Sequence, residues 1–309
     1  MPGASDLPAA DAVLVVSFGG PEGPSDVIPF LENVTRGRDV PRERLAEVAE
    51  HYALFDGVSP LNEQNRAIAS ALRDELRRRG LDLPVYLGNR NWRPFLAETL
   101  AAMRGDGVRH AIAFFTSGYS SYSGCRQYRE NIQQARGEVG PGAPEVTKTR
   151  MFFNHPAWIE ANADELRGAL AQLPAEARAG AHVAFTAHSI PVSMARGCRY
   201  EAQLRETARL VAAAAGVESW ELVYQSRSGP PGVPWLEPDV LDHLRALAER
   251  GTTDVALAPI GFVSDHLEVL YDLDIEAAGL AAELGLRLVR ARTASTHPAF
   301  AAMVGELVE

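Results

Sequence analysis

Short continuous apolar runs alternate with longer stretches of helical spacing along the chain. The first run, residues 12–18, is rich in valine and has the length and continuity of a strand buried in a parallel sheet. Several helical patterns follow, of which the clearest is the amphipathic stretch at residues 61–79, which ends at Gly80. Further apolar runs at residues 84–88 and 110–115 enclose another helical stretch. This β-α-β-α order predicts a doubly wound parallel sheet.

A second set of the same elements follows a segment rich in glycine and proline at residues 137–144, which is typical of a domain boundary. Its apolar runs, again separated by helical stretches, lie at residues 145–153, 181–186, 221–225 and 254–259. A last helical stretch at residues 298–308 could pack back on the first half. The chain therefore reads as two α/β domains, residues 8–150 together with 290–309, and residues 151–289.

The densest group of titratable residues follows the last of these apolar runs, at residues 261–276. Glu268, Asp272 and Glu276 are spaced four residues apart, so they lie along one face of an α-helix. Like charges at this spacing repel each other, and a chain optimised only for stability would avoid them. We therefore expect a cation to bind to this face or to move along it.

Composition limits the class of protein. The 309 residues are 46% apolar and 23% charged, which is ordinary for globular proteins and sufficient for two domains with their own cores. The net charge of −10 disfavours a nucleic-acid binder. The two cysteines, Cys125 and Cys198, support neither a disulfide framework nor a structural zinc site. Because the first residues are polar and no apolar run approaches the length of a membrane span, we expect a soluble cytoplasmic protein.

A histidine comes directly after the apolar run at residues 181–186. His188 is thus expected at the carboxyl end of the second sheet, where an imidazole can exchange protons or bind a metal. A histidine satisfied by a loop carbonyl is the alternative. His266 and Glu268 are two residues apart and should point to different helical faces, and Asp265 suits a helix-entry cap. We interpret the other histidines as structural or solvated on polar faces or loops: His51, His110, His155, His182, His243 and His297.

Two loops carry further candidate contacts. Residues 117–124 follow a strand of the first half and combine hydroxyls with aromatic rings, which suits a flat aromatic ligand and equally a plain surface loop. Residues 225–239 form a long loop, rich in proline and glycine, that carries Trp235. A loop of this length inside a compact fold is often functional.

Five motifs occur in order over nearly the whole chain, and the last is highly specific. They are Ser17-Phe-Gly-Gly-Pro21, Asp56-Gly-Val-Ser-Pro60, Phe185-Thr-Ala-His-Ser-Ile-Pro191, Gln225-Ser-Arg-Ser-Gly229 with Pro234-Trp-Leu-Glu-Pro-Asp239, and Gly261-Phe-Val-Ser-Asp-His-Leu-Glu-Val-Leu-Tyr-Asp272. Together they resemble the motifs of ferrochelatases, the enzymes that insert ferrous iron into a porphyrin. The chain length and the segment Ser123-Gly-Cys-Arg-Gln-Tyr-Arg129 are similar to the actinobacterial type that acts on coproporphyrin III.

The resemblance implies an α/β, chelatase-like fold. It would consist of two Rossmann-like domains with parallel sheets flanked by helices, an active-site cleft between them, and a C-terminal helix that returns to the first domain. The resemblance further implies that His188 and Glu268 are the catalytic pair at the metal. It places a second, hydrated divalent cation such as Mg²⁺ at Asp272 and Glu276. The implied porphyrin-binding residues are Phe18, Thr35, His51, Tyr52, Ser59 and Tyr128, with Tyr122 as the competitor of Tyr128.

The chain departs from the family pattern at three places. Phe18 stands where some relatives have a tyrosine able to ligate iron, so the metal would depend on the catalytic pair and Phe18 would pack on the macrocycle. Thr35 stands where an arginine is expected to hold a propionate, and Arg36 or Arg38 would substitute. Some actinobacterial relatives bind a [2Fe–2S] cluster, for which Cys125 matches one ligand. A cluster needs about four thiolates, so we expect none in this chain.

The implied activity is that of a lyase that inserts Fe²⁺ into coproporphyrin III, giving iron coproporphyrin in haem biosynthesis. Iron would be a substrate, no cofactor would be required, and we expect a monomer that binds porphyrin and Fe²⁺ but no nucleic acid. A protoporphyrin IX ferrochelatase, a cobalt chelatase for another tetrapyrrole, and a binding protein that carries haem or metal remain as alternatives. The residues do not reveal which of His188 and Glu268 accepts protons and which delivers metal.

Overall fold

A computed structural model describes residues 9–37, 40–229 and 232–309 and divides into two compact units. The first comprises the described part of Met1–Ser117 with Cys125–Arg150 and Ala301–Glu309, and the second comprises Gly118–Gly124 and Met151–Phe300. Gly118–Gly124 belongs to the second unit, although the sequence placed it with the first half. The reason is local bonding, since the Tyr119 hydroxyl donates to the carbonyl of Ile260 at 2.7 Å. Residues 290–300 likewise group with the second unit.

The first unit is built on a parallel sheet. Its strands are β1 (Ala12–Ser17), β2 (Val85–Asn89), β3 (His110–Phe115) and β4 (Glu145–Lys148). They pair in the order β2-β1-β3-β4, with every pair parallel. All of β1 is buried, which explains why it is apolar at nearly every position. The last strand pairs with β3 in the first sheet, although the sequence grouped its run with the second half, and it ends at Lys148, several residues before the predicted end of that run.

Helices connect these strands in the order that the sequence pattern predicts. They are α1 (Pro24–Val34), α2 (Arg42–Ala53), α3 (Leu61–Arg78), α4 (Leu96–Gly105) and α5 (Gln127–Val139). A π-helical turn, Tyr122–Arg126, leads into α5. The first helix begins with Pro24 after an extended Gly23, because proline has a backbone angle that suits a first helical position.

The second unit repeats the architecture. Its strands are β5 (His182–His188), β6 (Trp220–Gln225), β7 (Asp254–Ala258) and β8 (Arg287–Arg290). They pair in the order β6-β5-β7-β8, again all parallel. The connecting helices are α6 (Pro156–Leu170), α7 (Val192–Arg196), α8 (Tyr200–Ala215) and α9 (Val240–Glu249). The two parallel sheets, whose strands are connected by helices, confirm the predicted α/β fold class.

The chain between β7 and β8 is helical but not uniformly α-helical. It consists of α10 (Leu267–Val269), a π-helix (Leu270–Ala277) and α11 (Ala278–Glu283). Short 3₁₀ turns occur at Arg178–Gly180 and Ala294–Thr296, and α12 (Pro298–Val308) ends the chain. Within the first unit, Arg79 after α3 donates to Glu309 at 2.7 Å. None of the described helices is long and apolar enough to cross a membrane.

Candidate functional site

The carboxyl ends of β5 and β6 and the segment after β7 meet in the second unit. His188 is the last residue of β5 and lies beside Gln225, the last residue of β6. The segment after β7 crosses close to β5, because the backbone N–H of Gly261 donates to the Thr186 carbonyl at 3.0 Å. A Cβ atom at Gly261 would lie only 2.5 Å from the Cβ of Ala187. Glycine is therefore required for the approach that carries the acidic stretch to His188.

His188 and Glu268 form a pair across this gap. The Nε2 atom of His188 lies 3.6 Å from Oε2 of Glu268, and their side chains are 31% and 48% exposed, so a substrate can reach both. The Nδ1–H of His188 donates to the carbonyl of Ser189, which leaves Nε2 turned to the carboxylate. The Tyr200 hydroxyl donates to the His188 carbonyl at 2.9 Å. One ring nitrogen is satisfied by a loop carbonyl, as the alternative interpretation expects, and the other faces an acid, so the proton or metal role of His188 stays a prediction.

The two groups stabilise each other's charged forms. Burial disfavours a charge on His188, but the carboxylate of Glu268 outweighs it and raises the pKa of the imidazole above its usual value. Burial would raise the pKa of Glu268, and the positive ring of His188 outweighs that effect and lowers it. The pair is thus an imidazolium–carboxylate pair at neutral pH. A divalent cation that binds Nε2 must displace its proton.

His266 is a third member of the site, which sequence spacing missed. Its backbone is extended, with φ −148° and ψ −179°, and its Nδ1 accepts from the N–H of Glu268 at 3.2 Å as the N-cap of α10. The same Nδ1 atom lies 3.9 Å from the Glu268 carboxylate. The prediction that His266 and Glu268 point apart is wrong, because helical spacing does not apply to a cap. The expected cap, Asp265, instead pairs with Arg290 at 3.3 Å.

Asp272 lies in the π-helix rather than in the regular α-helix that the spacing predicts. A π-helix bonds each residue to the fifth one along, which changes how acids four residues apart line up, and such turns frequently occur at functional sites. The Oδ2 atom of Asp272 accepts hydrogen bonds from the Ser226 hydroxyl and from Nε2 of Gln225, the latter at 3.3 Å. The same Gln225 nitrogen donates to the Glu268 carbonyl at 2.9 Å. One amide thus connects the first two acids of the predicted row.

The environment of Asp272 brings the pKa of its carboxyl group close to neutral pH. Burial, helped by the charges of Glu268 and Glu276 and opposed by the donors Ser226 and Gln225, raises the pKa of Asp272 to about 7. Ser226 has a left-handed backbone, with φ 61°, which is uncommon for a residue with a side chain. Strained backbone of this kind concentrates at functional sites, and here it accompanies a hydroxyl directed at Asp272.

One arginine pairs with two acids of the acidic segment. Arg290 forms a fork with Asp274, with contacts of 2.6 and 2.8 Å, and also reaches Asp265. Glu276 is exposed on the π-helix. Arg290 thus neutralises two acids beside the row Glu268, Asp272 and Glu276, and the cation expected at that row stays a prediction.

No three histidine, cysteine, aspartate or glutamate side chains within residues 9–37, 40–229 and 232–309 form a group that could hold a metal ion. His188 and Glu268 supply two donor atoms. A metal at this pair would need further ligands, such as the four nitrogens of a tetrapyrrole.

The predicted porphyrin contacts of the first unit include an aromatic group. Phe30 packs edge-on against Phe18 at 6.2 Å and against Tyr52 and Trp92 at 6.1 Å each. The guanidinium of Arg90 lies over the Phe18 ring at 5.5 Å and over the Tyr128 ring at 4.5 Å. Three of the predicted residues, Phe18, Tyr52 and Tyr128, thus belong to one connected set of rings. Arg90 was not singled out by sequence reasoning, since an isolated arginine carries no pattern.

The other predicted contacts of the first unit lie on separate elements. Thr35 caps the end of α1 and its hydroxyl donates to the carbonyl of Leu31 at 2.7 Å. Ser59 is buried against Gly20, where an added Cβ would lie 2.7 Å from the Ser59 Cβ. His51 is half-buried near the end of α2.

Two arginines, Arg36 and Arg38, were predicted to hold a propionate in place of the arginine expected at position 35, and the structure describes one of them. Arg36 is exposed and lines a cavity of about 310 Å³ together with Arg90, Asn131 and Gln134. Arg38 lies outside the described residues. Tyr122, the competitor of Tyr128, is 42% exposed and belongs to the second unit.

Several remaining histidines are buried rather than solvated. His110 joins β3 to β4 through a 2.9 Å contact between Nε2 and the Thr147 hydroxyl, and His155 caps α6. His243 is also buried and contacts His182. A structural role is one of the two that the sequence predicted, whereas the placement of His110 and His243 on polar faces was wrong, because an amphipathic pattern does not fix where the boundary of the buried face falls.

Comparisons with known proteins agree over nearly the whole chain. The family model described as Ferrochelatase matches residues 10–309. The chain is 58% identical over 306 residues to a protein named Ferrochelatase from Rhodopirellula baltica, with 99% of this chain and 87% of the relative covered. It is 55% identical over 304 residues to a Coproporphyrin III ferrochelatase from Mycolicibacterium vanbaalenii, with 97% and 90% covered.

Among solved structures, SirB from Bacillus subtilis with Fe³⁺ is similar with a TM-score of 0.60 at 11% identity, with 96% of this chain and 93% of that chain covered. At this identity the likeness shows the fold alone. The family match spans both units, and the relatives are more than half identical over most of their length. The chain therefore belongs to the ferrochelatase family.

Proposed function

We propose that the protein inserts Fe²⁺ into coproporphyrin III. The observation that carries the proposal is the partly exposed pair of His188 Nε2 and Glu268 Oε2, 3.6 Å apart, in a chain of the ferrochelatase family. Coproporphyrin is favoured because relatives named for that substrate are 55% and 54% identical to this chain over nearly its full length.

The pair suits the chemistry of metallation. The porphyrin releases two pyrrole protons and receives one divalent cation, so the site must accept two protons and present a metal. The imidazolium of His188 must first release its Nε2 proton, and the neutral ring can then accept one pyrrole proton there, because its Nδ1–H is occupied by the Ser189 carbonyl. The carboxylate of Glu268 can accept the other. The same two atoms can ligate Fe²⁺ before it transfers to the four nitrogens of the ring.

Asp272 and Glu276 continue the site as a proposed outer position. Asp272 Oδ2 already accepts from Ser226 and Gln225, so a hydrated divalent cation such as Mg²⁺ would meet the other oxygen, Oδ1. Mg²⁺ usually keeps several waters and binds through one or two carboxylates, which matches the donors that these two acids offer. The same acids could instead receive protons from Glu268.

The porphyrin is proposed to contact the aromatic group around Phe18 in the first unit. Flat, apolar rings with a guanidinium at their edge suit a macrocycle with carboxylate arms. Thr35, His51, Tyr52, Ser59 and Tyr128 remain the other proposed contacts. A cytoplasmic monomer that requires no redox cofactor completes the proposal.

The test is an anaerobic assay in which Fe²⁺ insertion is followed by loss of porphyrin fluorescence. We expect faster turnover with coproporphyrin III than with protoporphyrin IX. His188→Ala should abolish insertion while the porphyrin still binds. Faster turnover of protoporphyrin would refute the substrate, and wild-type turnover by the variant would refute the role of His188.

Two control arms separate the alternatives. Co²⁺ with sirohydrochlorin tests for a cobalt chelatase, and its preferred turnover would contradict iron insertion. Binding of stoichiometric porphyrin without turnover under every metal would identify a carrier instead of an enzyme.

A further inference from the structure

Two histidines meet at the amino-terminal end of the second sheet, away from the catalytic pair. His182 begins β5 and His188 ends it, so the two are on the order of 20 Å apart along the strand. His243 lies on α9 and is buried, whereas His182 is half-buried at the surface. The proposed insertion of iron gives these residues no part.

The rings face each other through the same type of nitrogen. Nε2 of His182 lies 3.0 Å from Nε2 of His243, and the ring centroids are 5.0 Å apart. At this distance one Nε2 carries a proton and the other accepts it. If that proton moved elsewhere, two Nε2 lone pairs would lie 3.0 Å apart and be available to one ligand.

The far side of each ring has a partner that can stabilise the moved proton once it lies on Nδ1. The Ser219 hydroxyl lies 2.9 Å from Nδ1 of His182, and the Glu221 carboxylate lies 3.7 Å from Nδ1 of His243. A hydroxyl or carboxylate on the second nitrogen is the arrangement that orients imidazoles in metal sites. Each ring can therefore hold its proton on Nδ1, with Ser219 turning from donor to acceptor.

We propose that His182 and His243 bind a divalent transition-metal ion of the zinc or copper class through their Nε2 atoms. Neighbouring nitrogens in a tetrahedral zinc site lie roughly 3.3 Å apart when each bond is about 2.0 Å, so the rings need to separate by only a few tenths of an ångström. No third acidic, histidine or cysteine side chain completes a metal-holding group in the described part of the chain, so water fills the other positions.

The surroundings keep both imidazoles neutral. Burial lowers the pKa of both imidazoles to about 4, with Arg250 acting in the same direction on each and Glu221 opposing it at His182. Both rings are consequently neutral at pH 7, which is the form that binds metal. Binding only moves a proton from Nε2 to Nδ1 within one ring, so it releases no net proton.

The experiment measures Zn²⁺ binding by competition with a chromophoric chelator. All variants carry His188→Ala, which removes the catalytic pair from the titration. We expect His182→Ala to weaken the binding of one equivalent of Zn²⁺ at least tenfold. His297→Ala, which removes another histidine of the same unit, should leave that equivalent unchanged. Equal binding by the His182→Ala and His297→Ala proteins would overturn the proposal.

A second readout guards against a folding defect. Zn²⁺ should raise the melting temperature of the His188→Ala protein, because a ligand that binds only the folded state stabilises it. The shift should disappear in both His182→Ala and His243→Gln, each checked for native circular dichroism without metal. A shift that persists in both variants would contradict the site. Iron insertion by His182→Ala with His188 intact should equal wild type, which separates this site from the proposed reaction.

Discussion

Gly261→Ala tests how the fold brings Glu268 to His188. The added Cβ would lie 2.5 Å from the Cβ of Ala187 and 2.6 Å from its Cα, whereas carbon atoms in contact prefer about 3.5–4.0 Å. The obstacle is backbone and a methyl group, which have no rotamer with which to move aside. Because Gly261 needs no left-handed backbone, the whole effect is steric.

The structure sets the expected size of the effect. Overpacking of this kind costs about 1–3 kcal/mol, and loss of the 3.0 Å bond from Gly261 to Thr186 adds about 1 kcal/mol. We therefore expect the free energy of unfolding to fall by about 3 kcal/mol. Relief of the clash moves the following segment by about 1 Å, and a displacement of that size can reduce turnover roughly 100-fold.

Gly279→Ala is the matched control. Gly279 lies in α11 with no atom within 4 Å of an added Cβ, so alanine should stabilise the protein by about 0.5–1 kcal/mol. Urea unfolding followed by circular dichroism measures both variants, and the fluorescence assay measures their iron insertion. Wild-type stability of Gly261→Ala would refute the steric argument. If Gly261→Ala is less stable but keeps full turnover, the approach at Gly261 does not control the geometry of His188 and Glu268.

Three further outcomes follow from particular contacts. Asp272→Ala should change the Fe²⁺ or Mg²⁺ dependence of turnover more than porphyrin affinity, and superimposable metal titrations would count against an outer cation position. Arg90→Ala removes the cation over Phe18 and Tyr128, and should weaken coproporphyrin binding by about tenfold in a fluorescence titration, an effect worth roughly 1.4 kcal/mol. Because burial holds the pKa of His243 near 4 while the unfolded value is about 6.5, the unfolded chain binds more protons between these values. The stabilisation that comes from this neutral ring is therefore fully present above pH 6.5 and is lost as the pH falls towards 4. By pH 5 the free energy of unfolding should have fallen by about 2 kcal/mol because of this ring. The fall should be smaller in His243→Gln. Equal falls in the variant and the wild type would exclude the ring as the cause.

The order of strands and helices was readable from the sequence because each buried strand must be apolar at nearly every position. The runs that became β1, β3 and β7 therefore appeared with ends correct to within one residue. The pair His188 and Glu268 was named only from the resemblance to family positions, and the structure brings the two side chains within 3.6 Å of each other. Its role in turnover stays a prediction.

Tertiary structure decided which distant residues meet, because such contacts leave no periodic pattern in the sequence. His188 and Glu268 are eighty positions apart in the chain and meet because β5 lies beside β7 and Gly261 permits the crossing. The π-helix at Leu270–Ala277 and the cap at His266 depend on hydrogen bonds that leave the pattern of apolar residues unchanged. The 3.0 Å contact of His182 and His243 likewise needs β5 and α9 to pack together. Sequence alone determined which apolar runs form buried strands and which chemical groups are available, and packing determined which of those groups can act on one another.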